Sequence, residues 1–409
     1  MKQLWNIWTK MDIIIRIVIG IVVGILLGTL VPHATGVALF GTLFVAALKA
    51  VAPILVFFLV ISAVSQHNSG TKNNMKMVIL LYLMSTFLSG LAGVIASFLF
   101  PTQLTLTQSA EKITAPSGIG EVLENVLSNI VVNPITAVME ANFIGILSWG
   151  LLIGFALQHA APTTKVVIQN VSEAISWIVQ WVVQLAPLGI MGLIFSTVSS
   201  KGFSSLGQYA HLVAVLVGVM IFATLVINAI IVVAVTRRNP YPLIFTTLVE
   251  SGIPAFFTRS SAANIPVNMK LSEKLGLNPD TYAIAIPLGA TLNTGGAAIT
   301  LSVFSLAAAN TLGISVDFLT ALVLVVIAGL AAAGAAGIAG GSLLLIPMAA
   351  SLFGIPADVS AQVVGIGFII SVVQDSVETA LNSSSDVVFT AAADYAQNEP
   401  DVSRETMVK

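Results

Sequence analysis

Residues 374–386 read Gln-Asp-Ser-Val-Glu-Thr-Ala-Leu-Asn-Ser-Ser-Ser-Asp, between an apolar run from Val363 to Val373 and another from Val387 to Ala393. Wound as one helix at 3.6 residues per turn, the segment sets Asp375, Glu378, Thr379, Asn382 and Asp386 in one narrow polar stripe. A carboxylate at bilayer depth costs about 2.5–3.5 kcal/mol on the insertion scale, so such residues face a cavity, an ion or a partner charge. Three of them on one face call for a functional explanation. The bland alternative is a wet loop between short membrane segments, or a helix lying at the interface. The surrounding chain weighs against it.

Of the 409 residues, 57% are hydrophobic and 8% charged, and the mean hydropathy is +1.00. Soluble domains carry about 25% charged residues, so most of this chain belongs in lipid. A net charge of −2 without a long basic run gives no support to nucleic-acid binding. The lack of cysteine excludes disulfides, thiolate metal sites and cysteine nucleophiles.

Met1 to Arg16 is basic and leads into an apolar run to Val31, longer than the ~7–15 residues of a signal-peptide core, which predicts an uncleaved first transmembrane helix. Gly20, Gly24 and Gly28 share one face of it, which suits close helix packing, although glycine-rich membrane chains also give this spacing by chance. Further apolar runs are Val37–Val64, Val78–Phe100, Phe143–Leu157, Val166–Val198 and Leu212–Val235. All but Phe143–Leu157, which needs the residues before it, approach or exceed the ~20 residues that cross a bilayer. Lys49, inside the second run, is expected to snorkel to the headgroups. Residues 101–140 read as a mostly acidic external loop, with Glu111, Lys112, Glu121, Glu124 and Glu140. Alternating spans from a cytoplasmic N-terminus gather Lys2, Lys10, Lys72, Lys76, Lys165, Arg237, Arg238, Lys270, Lys274 and Arg404 inside, Lys201 being the exception, and leave both termini cytoplasmic.

After Arg238 the apolar segments become short and broken. Thr258, Arg259, Ser260, Ser261 and Asn264 interrupt one; Asn293, Thr294, Gly295 and Gly296 a second; Gly334, Gly337, Gly340, Gly341 and Ser342 a third; and the opening stretch a fourth. This reads as a broken hairpin followed by an interrupted helix, twice over. Unwound backbone at membrane depth is tolerated where it lines a cavity, and paired interruptions point to a transporter's binding site. Glycine runs also serve packing alone.

Asp375, Asn382, Asp386, Asn293, Ser260 and Ser261 offer oxygen donors suited to a hard cation. They equally suit a zwitterion, with Asp375 on its ammonium and Asn382 with hairpin N–H groups on its carboxylate. Enzyme chemistry fares worse. His33, His67, His159 and His211 are scattered, and no zinc-protease, nucleophile-elbow, phosphate-loop or dinucleotide motif is present. Asp375 and Asp386 lie about 16 Å apart along one helix, too far to share a proton as aspartyl proteases do. An ion channel uses the same oxygens and stays open as an alternative.

Arg259-Ser260-Ser261 before Ile265-Pro266, the run from Pro287 to Asn293, the set Asp375, Thr379, Asn382 and Asp386, and Lys49 to Pro53 resemble the signatures of the dicarboxylate/amino acid:cation symporter family, the glutamate-transporter fold. The resemblance covers nearly the whole chain. It implies an all-α integral membrane protein of eight transmembrane helices and two re-entrant helical hairpins, built from inverted repeats, working as an elevator and assembling as a homotrimer. The implied segments are scaffold helices 1 and 2 at 11–64, transport-domain helix 3 at 76–100, the external loop at 101–140, scaffold helices 4 and 5 at 141–200, transport-domain helix 6 at 205–236, hairpin 1 at 243–276, helix 7 at 281–311, the gating hairpin 2 at 317–355 and helix 8 at 360–395.

By position, the resemblance implies a substrate site of Arg259, Ser260, Ser261, Thr294, Ala297, Ile338, Ala339, Asp375, Glu378, Thr379 and Asn382. Asp375 would take the amino group, and Asn382 and Ser261 the carboxylate. Gly289, Asn293, Asn382 and Asp386 would hold one sodium ion. Thr291 would lie near a second, closed by carbonyls around Ala332 to Ala335. Tyr82, Ser85 and Thr86 would be the remnant of a further site, because the family's Asn-Met-Asp-Gly-Thr is here Asn293-Thr294-Gly295-Gly296-Ala297 and lacks the aspartate. Where members that carry acids place an arginine, this chain has Glu378, which should repel glutamate or succinate, and the gate-tip proline is Ala339. The expectation is a bacterial inner-membrane symporter, not an enzyme, importing serine and threonine with Na+ as coupling ion and no organic cofactor. The alternative is a sodium- or proton-coupled carrier of acidic amino acids or dicarboxylates.

Overall fold

The computed structural model describes residues 11–66, 73–106, 119–335 and 340–397. Ile338 and Ala339 of the expected gate tip, and Lys2, Lys10, Lys72 and Arg404 of the charge argument, lie outside these residues. The described residues form helices and connecting turns, with no strand among them.

Helix α1 (Ile13–Leu30) begins at Asp12, whose side chain accepts the Ile14 N–H at 2.7 Å. Helix α2 (Ala38–Ser65) carries Pro53 in its interior, and α3 spans Asn73–Leu99. The region read as a loop at 101–140 is partly helical: α4 (Ile119–Ile130) and α5 (Pro134–Met139) lie within it. The acidic residues masked a local pattern in which Leu123, Val126, Leu127 and Ile130 recur at helical spacing. Asn133 then caps α5 by accepting the Ile135 N–H at 2.9 Å, with Pro134 in the first helical position. Helix α6 (Phe143–Leu157) has its own cap, Asn142, and does not recruit the preceding residues.

The single run expected over Val166–Val198 is two helices, α7 (Pro162–Gln184) and α8 (Ala186–Lys201). Pro187 supplies no N–H to the preceding turn, which breaks an otherwise continuous apolar segment at Leu185. The glycine face of α1 packs on α8. A Cβ added at Gly20 would stand 2.2 Å from the Pro187 carbonyl oxygen, and one at Gly24 2.6 Å from that of Met191. Gly41 of α2 meets the same helix at Gly192 and Leu193.

Helices α9 (Gly207–Phe222) and α10 (Asn228–Thr236) are joined by a π-helical turn, Ala223–Ile227. Then come α11 (Tyr241–Thr247), a second π turn (Leu248–Gly252), α12 (Ile253–Thr258) and α13 (Ser261–Lys274). Next are α14 (Pro279–Leu292), α15 (Gly295–Thr311) and α16 (Phe318–Ala335), followed by α17 (Gly341–Leu344) and α18 (Ile346–Ser351). Asp317 caps α16, and the Thr320 hydroxyl and N–H hold its carboxyl below the usual aspartate range. The last helix, α19 (Ala357–Gln397), has 41 residues and touches both broken hairpins as well as α3, α9, α10, α14 and α15.

Two expectations about the breaks change. Gly295 and Gly296 belong to the first turn of α15, so only Asn293 and Thr294 are unwound there. The fourth break is absent, because α19 is continuous through residues 374–386. Its hydroxyls bond back to its own carbonyls, Thr379 to Asp375 at 2.8 Å, Ser385 to Leu381 at 2.8 Å and Thr390 to Asp386 at 2.7 Å, so a polar sequence stays helical. The reading of this stretch as a wet loop or surface helix falls with it, since the helix is buried there.

Seven helical stretches among the described residues are long and apolar enough to cross a bilayer, and this is a multi-pass membrane protein. Eight were expected. The 15 residues of α6 rise only about 22 Å against a hydrocarbon core of about 30 Å.

Candidate functional site

The two broken hairpins converge on α19. Between α12 and α13 the chain reverses at Arg259, held at φ +51°, and Ser260 is extended and caps α13 by accepting the Ala263 N–H at 3.2 Å. This turn brings Arg259 Nη1 to 3.8 Å from Asp375 Oδ2, with both side chains largely buried. From the other hairpin Gly340, at φ +71°, donates its N–H to Asp375 Oδ1 at 3.1 Å. One carboxylate is thus approached from both tips. Ser261 is buried in the first turn of α13, and Thr294 and Ala297 are buried around the break before α15. Thr379, one turn along from Asp375, turns its hydroxyl onto its own helix.

A second group forms deeper along α19. The Asn293 amide donates to the Asn382 carbonyl at 3.2 Å, to Ser385 Oγ at 2.7 Å and to Asp386 Oδ1 at 2.9 Å. Gly289 is required by the close approach, since a Cβ there would lie 2.7 Å from Asp386 Oδ1 and 2.8 Å from the Tyr82 hydroxyl. Asn293 Oδ1 and Asp386 Oδ2 are buried and receive no hydrogen bond. Buried oxygens without donors are costly unless something positive meets them. Two such oxygens, one anionic, fit a hard monovalent cation. Thr291 is not part of this group, being exposed with its hydroxyl on the Leu288 carbonyl at 2.9 Å.

The two groups are linked through Asn382. Its side-chain oxygen accepts the Gly296 N–H at 2.8 Å while its carbonyl accepts from Asn293. Asn382 therefore fixes the unwound residues from both ends.

A sequence model of the sodium:dicarboxylate symporter family matches residues 13–396. The chain belongs to that family. It is accordingly a transporter, and symporters of this family are generally sodium-coupled.

Within this symporter the remaining expected residues are placed as follows. The Tyr82 hydroxyl lies 3.1 Å from the Ala285 carbonyl, 3.2 Å from that of Asp386 and 3.0 Å from Thr390 Oγ1. Ser85 donates to Asn228 Oδ1 at 3.2 Å, and Thr86 Oγ1 accepts the Thr294 N–H at 3.2 Å. A Cβ at Gly295 would come within 2.9 Å of Ser89 Oγ, so the space that an aspartate would need there is taken by a neutral hydroxyl. Glu378 is buried, and its Oε2 accepts from Thr300 at 2.7 Å, Ser342 at 2.9 Å and Gln374 at 2.6 Å.

Several of these residues escaped the sequence reading. Thr300, Ser89 and Asn228 are polar residues inside apolar runs, and that isolation was the available signal. A further buried network was also missed. Asn264 donates to Ser383 Oγ at 2.8 Å, Asn268 to the Ser383 carbonyl at 2.9 Å, and Ser251 to Asn268 Oδ1 at 2.5 Å, which fastens the first hairpin to α19.

Proposed function

We propose that this symporter imports serine and threonine together with sodium. The observation that carries the reading is the charge inventory around Asp375. Arg259 is the one cation that the described ion pairs bring to this site, and it is turned onto Asp375, while the next acidic side chain along the stripe is Glu378. A zwitterion with a neutral side chain finds an anion for its ammonium. A second substrate carboxylate finds another anion where it needs a cation. Ser261 and Asn382 then receive the substrate carboxylate.

Sodium at Asn293 and Asp386 assists without covalent chemistry. It orders Asn293, and through Asn293 and Gly296 the same Asn382 that meets the substrate. Two ligands that order one set of unwound residues bind cooperatively, and the linkage is reciprocal. Glycine in place of an acid at 295 supports fewer coupled sodium ions than a site with that acid. The reading extends to an elevator in a homotrimer of the bacterial inner membrane with cytoplasmic termini. There the hairpins and α3, α9, α10, α14, α15 and α19 move against α1, α2 and α6 to α8.

The test is radiolabelled serine uptake into proteoliposomes under an inward sodium gradient, under no gradient, and with potassium plus a proton gradient instead. Accumulation only with the sodium gradient, blocked by threonine and untouched by glutamate and succinate, is expected. Accumulation of an acid and failure of serine under every gradient overturns the assignment.

A further inference from the structure

We propose that Phe368 is a positioning residue for the substrate site: its ring holds the Gly340 N–H on Asp375, and Phe44 of α2 braces the ring from the other side. The seating of α19 on α2 then sets substrate affinity. The inference rests on Asp375 being the ammonium site, and it concerns a residue that itself touches no substrate.

Asp375 depends on one backbone donor. Among the described residues the Gly340 N–H, 3.1 Å from Oδ1, makes the only hydrogen bond to this carboxylate, and Oδ2 has Arg259 at 3.8 Å without a hydrogen bond. Gly340 lies in the left-handed region at φ +71°, one residue before α17, so the aim of its N–H follows from where its backbone is held. A Cβ on Gly340 would stand 3.1 Å from Phe368 Cε1 and 3.3 Å from Cζ, which puts the ring edge against the Gly340 α-carbon. Among the described residues, its chain neighbours apart, no other comes within 4 Å of that position. Phe368 and Asp375 are two turns apart on α19 and share a face, and the glycine is held between them. A ring that only filled space would end on side chains; this one ends on the backbone of the donor.

The ring is wedged in turn. Phe44 meets Phe368 edge to face, with centroids 5.5 Å apart and planes at 79°. Phe44 fills a notch in α8, where a Cβ at Gly189 would lie 2.3 Å from its Cγ. One turn earlier on α19, a Cβ at Gly365 would lie 3.0 Å from Val45 Cγ2 and 3.2 Å from Leu193 Cδ1, so the helices close up beside the aromatic pair. Phe44 and Phe368 are 3% and 2% exposed, which leaves the ring no room to swing off Gly340 while α19 is seated. The elevator reading puts α2 and α19 in different bodies, and through Phe368 the docking of one body on the other is linked reciprocally to binding at Asp375.

The decisive experiment uses the full-length protein in detergent. Apparent affinities are read from the shift in melting temperature with sodium alone, and with serine at fixed saturating sodium. In Phe368→Ala serine affinity should fall about tenfold or more, the scale of a hydrogen bond to a charged group, with the response to sodium alone unchanged. Phe368→Leu keeps apolar bulk but not the ring edge, so it should recover most of the stability of the unliganded protein without recovering serine affinity. Phe44→Ala removes only the brace and should weaken serine about two- to tenfold. Parental serine affinity in Phe368→Ala, recovery of stability and serine affinity together in Phe368→Leu, or equal loss of the serine and sodium responses overturns the proposal. If Phe368→Ala does not fold, parental serine affinity in Phe44→Ala overturns it as well. An unaltered protein that responds to sodium but not to serine would instead remove the reading of Asp375 beneath the inference.

Discussion

Asp375 is held from two sides, with Arg259 Nη1 3.8 Å from one oxygen and the Gly340 N–H 3.1 Å from the other. Each contact comes from a different hairpin, so the carboxylate that would bind a substrate ammonium also ties both tips together. A bound ammonium must share or replace the Arg259 contact. Asp375→Asn keeps the shape and an acceptor for Gly340 but removes the charge. Removing one partner of a buried charge pair costs about 2–5 kcal/mol, so serine affinity should drop about a hundredfold or more. Sodium-dependent thermal stabilisation should persist, because Asp386 and Asn293 are untouched. Loss of both responses together would place Asp375 in the sodium group instead.

Gly289 tests the proposed sodium group apart from the proposed substrate group. Gly289→Ala brings a methyl against Asp386 Oδ1 and the Tyr82 hydroxyl, at 2.7 and 2.8 Å before relaxation. The sodium concentration for half-maximal uptake should rise about tenfold or more, with maximal serine uptake at high sodium largely recovered. An unchanged sodium dependence would show that Asp386 does not bind the ion.

The network behind the first hairpin makes a claim about stability. Asn268→Ala removes the donor to the Ser383 carbonyl and hydroxyl and the acceptor for Ser251, all deeply buried. Each stranded group costs about 1–3 kcal/mol, so the melting temperature in detergent should fall by several degrees. Asn310→Ala, which releases a part-buried bond to the Thr102 carbonyl, should cost less. Equal effects would mean that the Ser251–Asn268–Ser383 cluster is not a principal fastening.

The limits of the sequence reading follow from what periodicity can carry. Asp375, Glu378, Asn382 and Asp386 could be set on one buried helix because a 3.6-residue repeat is local information. The hairpin turn at Arg259 was marked by a polar interruption with a capping serine. Glu378's partners were not legible, since Thr300 and Ser342 lie 78 and 36 residues away and meet it only through packing. Residues 374–386 carry two signals, a helical polar stripe and a polar interruption of apolar runs, and the helix prevails because hydroxyls satisfied by their own helix leave the backbone intact. Conversely, the mainly apolar character of Val166–Val198 hid the break at Leu185, where Pro187 outweighs composition.

Two glycine-to-alanine substitutions should have opposite signs, which tests whether the α1 face is a packing device. Gly20 is buried, and an added Cβ would lie 2.2 Å from the Pro187 carbonyl oxygen, a backbone atom that no side-chain rotation can move. Gly20→Ala must push α1 off α8 or distort the turn at Pro187, and overpacking of this kind typically costs 1–3 kcal/mol. Gly218 lies within α9 with nothing within 4 Å of its Cβ position. Gly218→Ala therefore meets no obstacle and should stabilise by about 0.5–1 kcal/mol through the lower entropy of the unfolded chain and better helix propensity. Thermal unfolding in detergent should show Gly20→Ala lowered by several degrees and Gly218→Ala unchanged or slightly raised. A Gly20→Ala protein as stable as the parent would mean that α1 and α8 are not in tight backbone contact, and the Gly20, Gly24, Gly28 spacing would then have no packing role.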